Sequence, residues 1–137
     1  MADTSKVNFE LVSPERLLYS AEVDMVVVPG SEGDFGVLPG HSLFLSQVRP
    51  GVIDIYEKGA VSERIFISGG FAEATAERCT VLADSALPIE DIDRPEAERR
   101  LKDAREDLAD AKDEAARKAA EREIAVCEAM LAASGGA

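Results

Sequence analysis

The segment Gly30 to His41, GSEGDFGVLPGH, gathers the residues of this chain whose types and spacing most invite a chemical reading. It holds four glycines, Pro39, the acids Glu32 and Asp34, and His41, the only histidine among 137 residues. A phosphate cradle would present backbone N–H groups at the start of a helix, often beside a lysine. Here neither GxxxxGK[ST] nor GxGxxG is met, the segment lies between strand-like runs, and the two acids would repel a phosphate. A metal or catalytic site built on His41 lacks partners: there is no second histidine for an HxxxH pair, and Ser42 is adjacent rather than on a nucleophile elbow. Glu32 and Asp34 could in principle share acid–base work, but two acids in a turn are ordinarily just solvated. His41 itself reads as a histidine hydrogen-bonded at a strand end or an interface. What remains is a loop of fixed shape, punctuated by glycines where φ is positive or backbones approach closely, with an acidic tip suited to touching a partner.

The rest of the composition narrows the partners. Formal net charge is −12, which argues against a nucleic-acid binder and against independent docking on anionic lipid. Hydrophobic residues make up 46% of the protein, enough for a core that needs neither disulfide nor metal. Cys79 and Cys127 are far apart, without CxxC or metal spacing, and are expected to stay unpaired. The first ten residues, MADTSKVNFE, carry no basic n-region and no apolar h-region, so no signal peptide is expected. No apolar run approaches the roughly 20 residues of a membrane span, and no direct membrane insertion is expected.

Two kinds of sequence must position the loop. From Lys6 to about Ala86 the residues read as short strands: KVNFEL alternates, EVDMVVVP stops at Pro29-Gly30, and LFLSQV, GVIDIYE and RIFIS each end at Pro-Gly, Lys-Gly or Gly-Gly. FAEAT and RCTVLA follow around a polar turn at Thr75 to Arg78. Turn signals at intervals of roughly 8–12 residues indicate an antiparallel sandwich or barrel. After Leu87-Pro88 the composition shifts to Ala, Glu, Lys and Arg, so the expected units are residues 1–88 and 89–137. Asp93 is placed to cap a helix, with Pro95 in its first turn and Glu96 at the capping-box position.

Ala97, Leu101, Ala104, Leu108 and Ala111 form one apolar stripe, and Ala116, Ala120, Ile124, Cys127 and Leu131 form another. At roughly 100° per residue the two are about 120° out of phase. One straight helix would bury neither stripe well, so a hairpin folded back near Asp110 to Asp113 is expected. The tail Ser134-Gly135-Gly136-Ala137 is expected to be disordered.

Taken in order, VSPERLLYSAEVDMVVVPGSEGDFGVLPGH, RPG, ISGGFAEA and TVLADSA closely resemble the epsilon subunit of F-type ATP synthases, called delta in mitochondria. The resemblance covers the β half and continues into a helical hairpin of the family's size. It implies a ten-stranded β-sandwich followed by the hairpin, in a non-catalytic subunit of the central stalk. Such a subunit turns with the rotor, helping couple proton flow to ATP synthesis or hydrolysis, as a peripheral membrane protein on the cytoplasmic face of the bacterial inner membrane. Ser31, Glu32, Gly33 and Asp34 would face the polar loops of the c ring, and the neighbourhood of His41 would lie toward the gamma subunit. The hairpin would reach the alpha and beta subunits transiently, as a weak inhibitory arm.

Some members bind ATP on the hairpin through [IL]DxxRA. Ile92, Asp93 and Ala97 match that motif, but Glu96 stands where the arginine belongs, which reverses the charge and removes the reason to expect an ATP cofactor. Two rival readings fit the residues: an ATP-sensing regulator, and a β-sandwich adaptor with a coiled-coil arm in an unrelated complex.

Overall fold

The computed structural model describes residues 6–135. Ten strands come first: β1 Val7–Val12, β2 Leu17–Val23, β3 Met25–Gly30, β4 Gly33–Val37, β5 Phe44–Val48, β6 Gly51–Glu57, β7 Ala60–Ile67, β8 Gly70–Ala74, β9 Arg78–Ala83 and β10 Ala86–Pro88. A single 3₁₀ turn at Ile89–Asp91 leads to α1, Arg94–Asp110, and α2, Glu114–Gly135. The protein divides into two compact units, Met1–Pro88 and Ile89–Ala137.

In the β unit the strands run β10-β7-β6-β3-β5-β8-β9-β1-β2, with β4 on the other side of β3. Every pairing is antiparallel except β1 with β9, which is parallel. The path turns its corner at β3. Met25 to Val27 pair with β6, whereas Gly30 pairs with Val48 of β5. Proline has no N–H to give a ladder, and Pro29 sits at that changeover, where its carbonyl accepts from the Arg49 amide at 2.9 Å. The strands close on Val7, Phe9, Leu11, Val26, Val28, Ile53, Ile55, Ile67 and Val81, all essentially inaccessible to water. Along β1 they alternate with Asn8 and Glu10, the period-2 pattern of a half-buried strand.

Two local devices are not evident from the sequence. The run EVDMVVVP is broken at Asp24, which separates β2 from β3. There the Asp24 amide donates to Tyr56 O and Glu57 Oε1, while its carboxylate accepts from the Lys58 amide and the Lys6 ammonium. These bonds hold the Asp24 carboxyl below its ordinary value, with the Lys6 hydrogen bond the largest cause. At Gly70, φ is +148° and a Cβ would stand 2.0 Å from the Leu82 carbonyl oxygen. Only glycine lets β8 begin so close to β9.

The helical unit is a hairpin with its break at Ala111 to Asp113. Asp93 Oδ1 accepts from the Glu96 amide at 3.1 Å, and Asp113 Oδ1 accepts from the Ala116 amide at 2.8 Å, so each helix has a carboxylate N-cap. Ala97, Leu101, Ala104, Ala120 and Cys127 are buried, whereas Ala116 is exposed. Small side chains make a thin seam, and charges reinforce it. Arg100 bonds both oxygens of Glu123, at 2.8 and 3.0 Å, and Arg105 reaches Glu128.

Ser134 and Gly135 are not a frayed tail but the last residues of α2. Arg94, at the start of α1, donates to Leu131 O at 3.1 Å and Ser134 Oγ at 3.0 Å, capping that end with a cation. Gly136 and Ala137, the remainder of the expected tail, lie outside the described residues. Cys79 and Cys127 are both free and buried, and burial pushes the Cys79 thiol up to about 12.

Candidate functional site

Within the β unit, residues 30–41 form a hairpin more than a loop. β3 and β4 pair from Val26↔Val37 to Gly30↔Gly33, leaving Ser31 and Glu32 as a two-residue turn. Glycines hide this strand from a propensity reading, yet they are what permit the turn. A Cβ on Gly30 would come within 2.7 Å of Gly33 O, and Gly33 has φ +132°. Ser31, Glu32, Gly33 and Asp34 are all exposed and lie together at the tip. The Ser31 amide donates to Gln47 O at 2.9 Å, which fixes the turn against the end of β5.

His41 stands at the other end of β4, past Leu38, Pro39 and Gly40. Four residue steps separate Gly33 from Val37, roughly 13 Å of strand. The ring is half-buried, and Nδ1 lies 2.6 Å from Ser42 O. A carbonyl can only accept, so Nδ1 carries the proton of that bond. The ring also leans on Phe44, at 6.2 Å between centroids, and Phe44 meets Phe35 edge-on at 5.0 Å. His41 therefore belongs to an aromatic cluster on β4 and β5. Among the described residues, no group of three or more His, Cys, Asp or Glu could hold a metal, and no helix is long and apolar enough to cross a membrane.

Beside that cluster lies a surface that sequence reasoning missed. Phe71 faces Leu82, Leu82 faces Val12, and Val12 faces Leu17 across β8, β9, β1 and β2. Leu17, Phe71 and Leu82 are 55%, 53% and 47% exposed, and Leu45 and Leu43 extend the band at 63% and 71%. Apolar side chains lined up across four strands and left in water mark an interaction surface. A signal for it is present: in LFLSQV and TVLA, residues of both parities are apolar, as in strands covered on both faces.

In the helical unit the motif residues are separated by role. Ile92 is half-buried, Asp93 caps α1, and Ala97 is buried at 1% exposure. Glu96 is exposed and is bonded to Arg99, which holds its carboxyl below the ordinary value and raises the guanidinium in turn. It does not close a capping box onto Asp93, because its carboxylate is taken by Arg99. Arg94, the neighbouring cation that could stand in for the missing arginine, is engaged by the end of α2.

The family model of the β-sandwich domain of the ATP synthase delta/epsilon chain matches residues 6–89, and that of the C-terminal domain of the ATP synthase epsilon chain matches residues 93–137. The protein belongs to the ATP synthase epsilon family. Its relatives include the ATP synthase epsilon chain of Rhodospirillum rubrum, 52% identical over 136 residues, with 99% of this protein and all of that one covered. The epsilon chain of Maricaulis maris is 53% identical over 132 residues, covering 96% of this protein and 97% of that one.

Among solved structures, a subunit of the Euglena gracilis mitochondrial ATP synthase, in an assembly of OSCP, F1 and c-ring, superposes with a TM-score of 0.81. It is 27% identical, and the match covers 94% of this protein and 81% of that subunit. A subunit of the Tetrahymena thermophila central stalk and c-ring shares the fold, with a TM-score of 0.72 at 15% identity over 97% and 99%. Membership of the epsilon family makes this protein a central-stalk subunit of an F-type ATP synthase, and so part of a membrane-associated complex.

Proposed function

We propose that the β unit joins the gamma subunit to the c ring, as a rotor element that transmits torque and performs no chemistry. One observation carries this reading: a single β unit exposes both a hairpin tip bearing Glu32 and Asp34 and a band of large apolar side chains. The tip of Ser31, Glu32, Gly33 and Asp34 suits the polar loops of the ring. The band, with His41 and Phe44 at its border, suits a large, permanent protein partner such as gamma, because obligate interfaces are the more hydrophobic ones. The placement follows from those partners: a peripheral protein on the cytoplasmic face of a bacterial inner membrane, with no insertion of its own.

The helical hairpin would be the arm that touches the alpha and beta subunits, without nucleotide control. ATP has no cation waiting for it at the family motif, since Arg99 and Arg94 are already committed within the unit.

The test is reconstitution with a catalytic head that contains gamma. Leu45→Asp combined with Phe71→Asp should leave the β unit folded, since both residues are exposed, and should weaken association by tenfold or more. Only the few hot-spot residues near the centre of an interface cost about 2 kcal/mol or more when truncated, and an aromatic such as Phe71 in a desolvated pocket is a candidate for one. Undiminished association of the double variant would refute the band as the gamma surface.

A further inference from the structure

The acid expected to face the ring at position 34 is not free. Asp34 Oδ1 accepts from Arg49 Nη2 at 2.6 Å, and the other arm of the same guanidinium, Nη1, donates to the Gly30 carbonyl at 2.5 Å. The Arg49 amide meanwhile donates to Pro29 O. One residue at the β5–β6 corner therefore holds the end of β3 and the start of β4 together. A planar guanidinium can do this because its donors form a rigid fork, whereas an ammonium is a single point of charge. Glu32 occupies the turn itself, exposed, and no described residue pairs with its carboxylate.

From these contacts we propose that Asp34 and Arg49 form an internal clamp that sets the direction of the hairpin tip, and that Glu32 is the carboxylate that meets a cationic or polar partner loop. Asp34 is then a positioning residue rather than a contact charge. The second half of the inference rests on the proposed placement of the tip against the c ring, and the first half does not.

The two halves separate experimentally because the clamp variants change tip charge in opposite senses. Arg49→Met frees an acid at the tip, while Asp34→Asn frees a cation. In the isolated full-length protein, both should accelerate amide hydrogen exchange at Ser31 to Gly33 by about two- to fivefold, the range open to an exposed pair. The double variant should add little to either. Arg49→Lys should not restore protection, and Glu32→Gln should leave exchange unchanged.

In membranes carrying the c ring, association should weaken for both clamp variants, although their charges differ in sign. Glu32→Gln should weaken it with a flattened salt dependence. Opposite effects of Arg49→Met and Asp34→Asn on association would overturn the positioning role, since tip charge would then decide. Unchanged exchange in the isolated protein overturns the clamp, whatever the assembly does. Altered exchange, with association indifferent to all three variants, overturns the Glu32 assignment and the placement of the tip together, leaving the clamp standing.

Discussion

In the β unit Phe9, Leu11, Ile53, Ile55 and Ile67 are enclosed to within 1% of complete burial. Among the described residues of the helical unit the buried ones are three alanines, Leu101 and Cys127, with ion pairs laid across the seam. Burial of large apolar side chains stabilises roughly in proportion to area, so the first unit has a deep reserve and the second a shallow one. Charge pairs are screened by salt and weakened by acid, whereas apolar burial is not. One molecule thus joins a unit held by large apolar side chains to one whose thin seam is reinforced by charge.

The contrast can be broken most severely in the β core. Phe9→Ala removes a ring packed 5.8 Å from Tyr19, and it should cost about 3–5 kcal/mol in denaturant unfolding followed by near-ultraviolet signals. If the two units fold separately, the helical circular dichroism of the hairpin should survive that loss. In the hairpin, Leu101→Ala should cost about 2–3 kcal/mol, at the low end for leucine because the site is at a thin seam. A loss as large as in the β core would mean that the hairpin is more deeply packed than its alanines imply.

Next in size is the ion pair. Glu123 lies below its ordinary value of 4.5, first because Arg100 bonds it, so its contribution is complete above about pH 4.5. It is lost as pH falls further, through the lowered value in the folded protein. Both side chains are about one-third exposed, 32% and 38%, so the loss should be only about 1 kcal/mol. It should register as a drop in helicity as pH falls below about 4.5, and Glu123→Gln should shrink that drop by removing one titration, leaving the smaller share of the exposed Glu96–Arg99 pair. An acid limb undiminished in Glu123→Gln would assign the sensitivity elsewhere.

The smallest expected effect is a null. Calorimetry of the full-length protein with MgATP should show no binding heat, and Glu96→Arg should gain some. Tight binding by the unmodified protein would refute the charge argument at that motif.

Legibility follows the range of the interactions. Asp93 and Asp113 cap helices through atoms three residues away, and the phase shift between the two stripes announces the break at Asp110 to Asp113, so the hairpin can be read. β4 cannot, because Gly33 and Gly36 look like punctuation until β3 is there to pair with them. The separate β2 is lost in an apolar run whose break depends on Tyr56, Glu57 and Lys58, more than thirty residues later. Ser134 and Gly135 carry the composition of a tail, and become helix because Arg94 caps them from forty residues upstream. The acidic tip is legible, but not that Arg49 occupies one of its two acids. No local pattern reports a partner fifteen positions away.

The parallel pairing of β1 with β9 has a consequence for how the molecule comes into being. Asn8 meets Arg78 some seventy residues on, so that ladder joins two distant parts of the sequence. Contacts of such separation carry loop-closure entropy that is repaid late, which slows folding. During synthesis, the β1–β2 hairpin must wait with an open edge until β9 has left the ribosome, and an unpaired edge is where proteins aggregate. Only then does the last segment, the two helices with their local contacts, emerge and fold at once. The part of the molecule that is hardest to disrupt at equilibrium is therefore the part most exposed while it is being made.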